Sequence, residues 1–255
     1  MNKDYNMRKF FVNNDCIFED SIKITGSDVN HIKNVLRLKI GERIQICNQD
    51  TSENFICEIA IIDVTFIEVK IIEKIQAVAE GNIELHIFQG LPKADKMELI
   101  IQKGTELGVS KFWPVSFKRS IVKLSGKDEI KKIERWQKIA EVASKQSQRD
   151  LIPEVSNIIN IRNVCDYIKN YDIVLLAYEN EEKNYIKTEL QNLKCTKDKL
   201  KIAVIIGPEG GIELEEVVLL EEAGAKVVTL GKRILRTETA SMQLASIIMY
   251  ELENN

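Results

Sequence analysis

The chain has 255 residues, 44% of them hydrophobic and 29% charged, with a formal net charge of −3. That content supports a sizeable core in one large domain or two smaller ones; residues 1–6 hold no apolar signal region and no apolar run is long enough for a membrane, so a cytoplasmic protein is expected. Five cysteines (Cys16, Cys47, Cys57, Cys165, Cys195), odd in number and without C-x-x-C spacing, and only two histidines argue against a disulfide framework and a metal centre.

Residues 1–75 read as a β-rich unit. Short strand-like pieces at 8–12, 16–19 and 21–25 precede a helix that Ser27 or Asp28 can cap, with Val29, Ile32, Val35 and Leu36 as its apolar stripe. Alternation then predicts strands at 43–48, 55–63 and 64–75, with Asp63 at a turn. Several short strands and one helix predict a small barrel. Residues 76–82 break the pattern and are the candidate linker.

From 76 to 255 the period changes to alternating strands and helices, which predicts an α/β domain with a mainly parallel sheet. Strands are expected at 84–89, 111–117, 172–178, 202–206 and 226–231. Helices are expected at 94–107, 127–149, 162–171, 185–193, 212–220 and 240–251. The 127–149 helix has an inner stripe of Ile130, Ile133, Trp136, Ile139, Ala140 and Ala143, and carries Lys131, Lys132, Arg135, Lys138 and Lys145 elsewhere. Residues 91–150 hold fourteen Lys/Arg against eight Asp/Glu, a local excess of six. Such a run is either a solvated face or a phosphate-binding surface.

Three strand ends deliver candidate ligand loops: Leu176-Ala177-Tyr178-Glu179, Ile206-Gly207-Pro208-Glu209-Gly210-Gly211 and Leu230-Gly231. In an α/β sheet ligands bind beyond the carboxyl ends of strands, where main-chain groups are free, and glycines allow close approach. There is no G-x-G-x-x-G or P-loop lysine signature, which disfavours dinucleotides and triphosphates.

The pairing of Ile206-Gly207-Pro208-Glu209-Gly210-Gly211 with Leu230-Gly231-x-x-Ile234-Leu235-Arg236-x-Glu238-Thr239-Ala240 resembles the cofactor motifs of the SPOUT methyltransferases. Within them the chain is most similar to the 16S rRNA (uracil-N3) methyltransferases. The similarity extends to Met7-Arg8-Lys9-Phe10-Phe11-Val12, His31-x-x-x-Val35-Leu36-Arg37, Leu91-Pro92-Lys93, Gln102-Lys103-x-Thr105-Glu106-Leu107-Gly108-Val109 and Gln146-Ser147-x-Arg149. It implies a trefoil-knotted α/β methyltransferase domain, a small N-terminal PUA-like β-barrel domain, and S-adenosyl-L-methionine as cofactor. Leu176, Ala177, Ile206, Gly207, Pro208, Glu209, Gly210, Gly211, Leu230, Gly231, Ile234, Leu235, Thr239 and Ala240 would hold that cofactor.

The implied acceptor is N3 of a uridine in 16S rRNA, free or in the small ribosomal subunit. Arg236 would stabilise the anion left when N3 loses its proton, and Glu209 or Glu238 would take that proton. Arg236 could instead be an ion-pair partner of Glu238. Arg8, Phe10, His31, Arg37, Lys93, Arg119 and Arg149 are the candidates to hold RNA, although Phe10 also reads as core. A homodimer is implied as well, and Ala240, Leu244, Ala245, Ile247, Ile248 and Leu252 give the last helix more apolar surface than one packed face needs. The competing readings are a ribose 2′-O methyltransferase and an inactive RNA-binding or ribosome-assembly protein.

Overall fold

A computed structural model describes residues 7–76, 79–191, 193 and 199–253. Cys195 and the first six residues therefore lie outside the described part. Chain contacts separate two compact units: one runs to Glu80 and takes in Gln148–Leu151, and the other comprises Gly81–Ser147 and everything from Ile152 onward.

The first unit is a five-stranded sheet of β1 (Lys9–Val12), β2 (Ser21–Thr25), β3 (Arg43–Asn48), β4 (Asn54–Ile62) and β5 (Phe66–Ile75), in the order β1-β3-β4-β5-β2. Only the β1–β3 pair is parallel. Asp63 makes the β4–β5 turn, its Oδ1 accepting from the main-chain N and the hydroxyl of Thr65, both at 2.9 Å. Ile22, Ile44, Ile46, Ile59, Ile67 and Val69 are fully buried on the inner face. The expected helix is α1 (Ser27–Asn30) continued by a π turn over His31–Val35. That wider turn takes Val35 off the stripe, leaving it 64% exposed, while Val29 and Ile32 stay buried. The cap also differs from expectation: Gly26 precedes the helix and no side chain caps it.

Gln148–Leu151 belongs to this first unit through buried polar contacts, so the helix predicted over 127–149 stops short. Lys9 Nζ donates to Asp150 Oδ1 (2.5 Å) and to Gln148 O (3.0 Å), and Asn54 Nδ2 and Ala79 N donate to the Asp150 carboxylate at 2.9 and 2.7 Å. Burial alone would raise the Asp150 pKa, but these donors hold it below the usual carboxylate range.

The second unit is a parallel sheet of β6 (Ile83–Gly90), β7 (Lys111–Ser116), β8 (Glu154–Val155), β9 (Ile159–Asn160), β10 (Ile173–Ala177), β11 (Leu200–Ile206) and β12 (Lys226–Val228). Its order is β12-β10-β11-β6-β7-β8, with β9 also paired to β7. The helices are α2 (Lys96–Glu106), α3 (Lys127–Gln146), α4 (Ile161–Tyr167), α5 (Ile186–Gln191), α6 (Leu214–Glu222) and α7 (Thr237–Leu252). Both faces of the sheet are covered, which is why β11 is apolar from Ile202 to Ile206. Its Ile202, Val204 and Ile206 enter one core with α2, α3 and α7, while Ala203 and Ile205 enter the other with α4 and α6. In α3, Ile130 is 58% exposed rather than part of the inner stripe. In α7, Leu244, Ala245, Ile248 and Leu252 are buried within this chain, so the apolar surplus read from the sequence is mostly spent on its own core.

Candidate active site

A cavity of about 510 Å³ opens beyond the carboxyl ends of β10, β11 and β12. Its wall is Ala177 to Glu179, Ile206 to Glu209 with Gly211, and an unbroken run from Thr229 to Thr237, closed by Lys96 and Ala240. Backbone proximity builds it. A Cβ on Gly90, at the end of β6, would stand 2.5 Å from Pro208 N, so only glycine lets the 207–211 loop lie against that strand. Gly231 turns the third loop at φ +114°, a conformation L side chains rarely adopt.

A buried polar knot ties the loops together. Thr237 Oγ1, at the first residue of α7, donates to Gly207 O (2.7 Å) and accepts from Gln89 Nε2 (2.8 Å). Ser241 Oγ donates to Gln89 Oε1 at 2.5 Å. The ends of β6 and β11 are thus locked to the start of α7, which begins at Thr237 and not at Ala240 as expected. Sequence reasoning passed over these three residues, although a glutamine directly after the apolar pair Ile87-Phe88 near the end of β6 was a visible signal.

Lys96 is a further residue that the sequence did not single out. Its Nζ donates to Glu209 Oε1 at 2.8 Å and lies 3.5 Å from Glu238 Oε2. Lys93 N also donates to the Glu209 carboxylate, at 3.1 and 3.3 Å. Partial burial would raise the Glu209 pKa, but Lys96 and the main-chain donors hold it below the usual range. Glu238 Oε2 is buried and accepts no hydrogen bond among the described residues. Arg236 precedes α7 with extended backbone, is exposed and lines the cavity. It forms no ion pair with Glu238 or with any other described acid.

Of the residues predicted to hold a cofactor, Leu176, Gly210 and Thr239 do not line the cavity. Leu176 is fully buried in the core, and a Cβ on Gly210 would meet Arg119 Cβ and O at 3.1 Å rather than open space. Arg119 itself braces that loop, through Nε to Glu213 Oε1 (2.8 Å) and a terminal nitrogen to Gly210 O (3.2 Å). Buried Glu216 helps, accepting from Lys118 N at 2.9 Å. In the first unit Arg8, His31 and Arg37 are exposed, as is Lys93 in the second. Phe10, by contrast, is 2% exposed core, and Arg149 is buried against Glu80 (2.6 Å). Neither of those two presents an open face to RNA. On α3, Arg135 pairs with Glu98, and Lys138 and Lys145 pair with Glu141.

Among the described residues no cluster of three or more His, Cys, Asp or Glu is placed to hold a metal ion, and no helix is long and apolar enough to cross a membrane. Comparison with known proteins gives the geometry a context. The family described as RNA methyltransferase domain matches residues 79–249, and the RNA methyltransferase PUA domain matches 24–72. Ribosomal RNA small subunit methyltransferase E of Bacillus subtilis is 38% identical over 234 residues, 91% of each chain. The chain belongs to the ribosomal RNA small subunit methyltransferase E family. The Mesomycoplasma hyopneumoniae member is 34% identical, over 93% of this chain and 97% of its own. The Neisseria gonorrhoeae member, solved bound to S-adenosyl methionine, superposes with a TM-score of 0.82 at 28% identity, over 96% of this chain and 97% of its own. This family member therefore has a SPOUT-type methyltransferase domain behind an N-terminal PUA-like domain, and the cavity lies wholly within the former.

Proposed function

We propose that this enzyme transfers a methyl group from S-adenosyl-L-methionine to N3 of a uridine in 16S rRNA, in the cytoplasm and as a homodimer. The observation that carries the reading is Arg236, which pairs with no described acid, lining a glycine-shaped cavity at three strand ends. The lining suits the cofactor. Ile206, Leu230, Leu235 and Ala240 offer apolar surface for a purine, and Glu179 offers negative charge to a cationic ligand. When bound, S-adenosylmethionine supplies a methyl carbon carried on a sulfonium leaving group.

The protein's part is alignment and charge. Uracil N3 lies between two carbonyls, so loss of its proton spreads negative charge onto those oxygens. The planar fork of Arg236 can meet that charge. Glu209 is engaged by Lys96 and Lys93 and serves to anchor the loop; Glu238, whose Oε2 lies 3.5 Å from Lys96 Nζ and accepts no hydrogen bond among the described residues, is the proton acceptor in this reading. N3 is hidden in a paired helix, so the target must be unpaired or extruded. The test is to incubate the protein with labelled cofactor and either 16S rRNA or small ribosomal subunits, then digest to nucleosides. Label in 3-methyluridine is expected. Label in a 2′-O-methyl nucleoside, or none, would refute the assignment.

A further inference from the structure

Most cations around the catalytic loops are already committed. Lys96 pairs with Glu209, Lys118 with Glu215 and Arg119 with Glu213. The loop after Gly231 is different. Lys232, Arg233 and Arg236 are all exposed, and none of them forms an ion pair or side-chain hydrogen bond among the described residues. Between them Ile234 is 87% exposed, a larger fraction than any other large hydrophobic side chain described. All four line the mouth of the cavity.

Three unpaired cations within five residues repel one another, and a folded chain tolerates that where a polyanion will neutralise them. Ile234, 87% exposed in the same loop, offers apolar surface beyond what the cofactor cavity it lines needs to close, available to a ligand at the cavity mouth. We propose that this loop grips the single-stranded RNA flanking the target nucleotide: Lys232 and Arg233 take backbone phosphates, and Ile234 packs on the base face uncovered when the target is extruded. Apolar wedges at unstacked base steps beside cationic phosphate contacts are an established physical solution for holding a distorted strand. The alternative occupant, the same loop of a second copy, would set like charges against each other across a two-fold axis. The proposal rests on the rRNA methyltransferase reading.

The experiment measures binding of a short uridine-containing single-stranded RNA by anisotropy, in salt from about 50 to 200 mM, for wild type, a Lys232→Ala/Arg233→Ala double variant and Ile234→Ala. Two lost phosphate contacts should reduce the log–log salt slope by about 1.4. Ile234→Ala should weaken binding about fivefold with its slope unchanged. A double variant with the wild-type slope overturns the proposal, whether or not cofactor affinity falls. Ile234→Ala that becomes monomeric in sedimentation while binding RNA normally overturns it too, by marking a subunit contact. Methyl transfer by the wild type separates the two levels: its absence refutes the enzyme reading, whereas its presence with unaltered variants refutes only the loop.

Discussion

Thr237→Val tests the polar knot beneath the cofactor loops. Valine keeps the shape of threonine and removes its hydroxyl, so the change deletes two hydrogen bonds with little repacking. Gly207 O loses the donor it holds at 2.7 Å, and Gln89 Nε2 loses the acceptor at 2.8 Å. Thr237 is 7% exposed and Gln89 fully buried, so water does not readily replace either partner. Gln89 Nε2 keeps its bond to Gly90 O at 2.9 Å, which limits the penalty on that side. A buried group left without its partner costs about 1–3 kcal/mol. With one partner stranded and the other half-satisfied, the expected loss is about 2–3 kcal/mol. For a chain of this size that is a fall in melting temperature of roughly 5–10 °C. Thr237→Ser keeps the hydroxyl and should lose under about 1 kcal/mol, mainly from one methyl group. Urea and thermal unfolding of the three proteins, with calorimetry of cofactor binding, give the comparison. If Thr237→Val unfolds within about 0.5 kcal/mol of wild type and binds cofactor equally well, the hydroxyl does not hold the loops and the reasoning fails.

Arg236→Ala should slow single-turnover methyl transfer about 100-fold at saturating RNA and cofactor, and Arg236→Lys should recover only part of it; a normal rate for the alanine variant removes Arg236 from the chemistry. Glu238→Gln should lower that rate about 100-fold, whereas Glu209→Gln should chiefly raise the apparent cofactor KM by loosening Lys96 and Lys93; the reverse pattern would exchange their roles. A pH effect is expected from His86, which is 6% exposed and bonded through Nδ1 to the Tyr171 hydroxyl at 2.6 Å. Burial pushes this imidazole down to about 4, with Lys201 and Lys111 acting the same way and Glu84 opposing. The unfolded chain therefore takes up a proton below pH 6.5 that the folded one refuses until about 4, so stability is lost as pH falls through that window. Between pH 7.5 and 5 the loss should be roughly 2 kcal/mol, and His86→Gln should flatten it; an equally steep slope in the variant would assign it elsewhere.

What the sequence disclosed well was whatever repeats along the chain. The continuous apolar run of β11 and the shift from short strands to alternating strand and helix are local signals, and the strands and helices of the structure follow them. The glycine-bearing strand ends were visible for the same reason, and they do form the cavity. What failed were features that depend on one residue's spatial neighbour. Nothing adjacent to Gly210 reveals that Arg119, ninety-one positions away, occupies the space over its Cα. The π turn that exposes Val35 adds one residue to a turn and shifts the register of every later side chain, which a fixed helical period cannot register. The Lys96–Glu209 pair spans one hundred and thirteen positions and was equally hidden.

Charge shows the same limit most sharply. The six-charge excess over residues 91–150 left a solvated face and a phosphate-binding surface both open, because most of its compensating acids are elsewhere in the chain. Lys96, Lys118, Arg119 and Arg149 take Glu209, Glu215, Glu213 and Glu80 respectively, none of them within that window. On α3, Arg135 takes Glu98 of α2, inside the window but thirty-seven positions away, and Glu141 on the same helix takes Lys138 and Lys145. A counted excess is therefore a poor guide to field, because an ion pair projects little potential beyond a Debye length of about 10 Å. Lys232, Arg233 and Arg236 amount to half that excess, yet no described acid pairs with any of them. Their charge acts outward, at the mouth of the cavity. Phosphate binding should accordingly follow unpaired cations rather than cation count, and the salt slope of the Lys232→Ala/Arg233→Ala variant should change more than that of a Lys138→Ala/Lys145→Ala variant, whose lysines pair with Glu141.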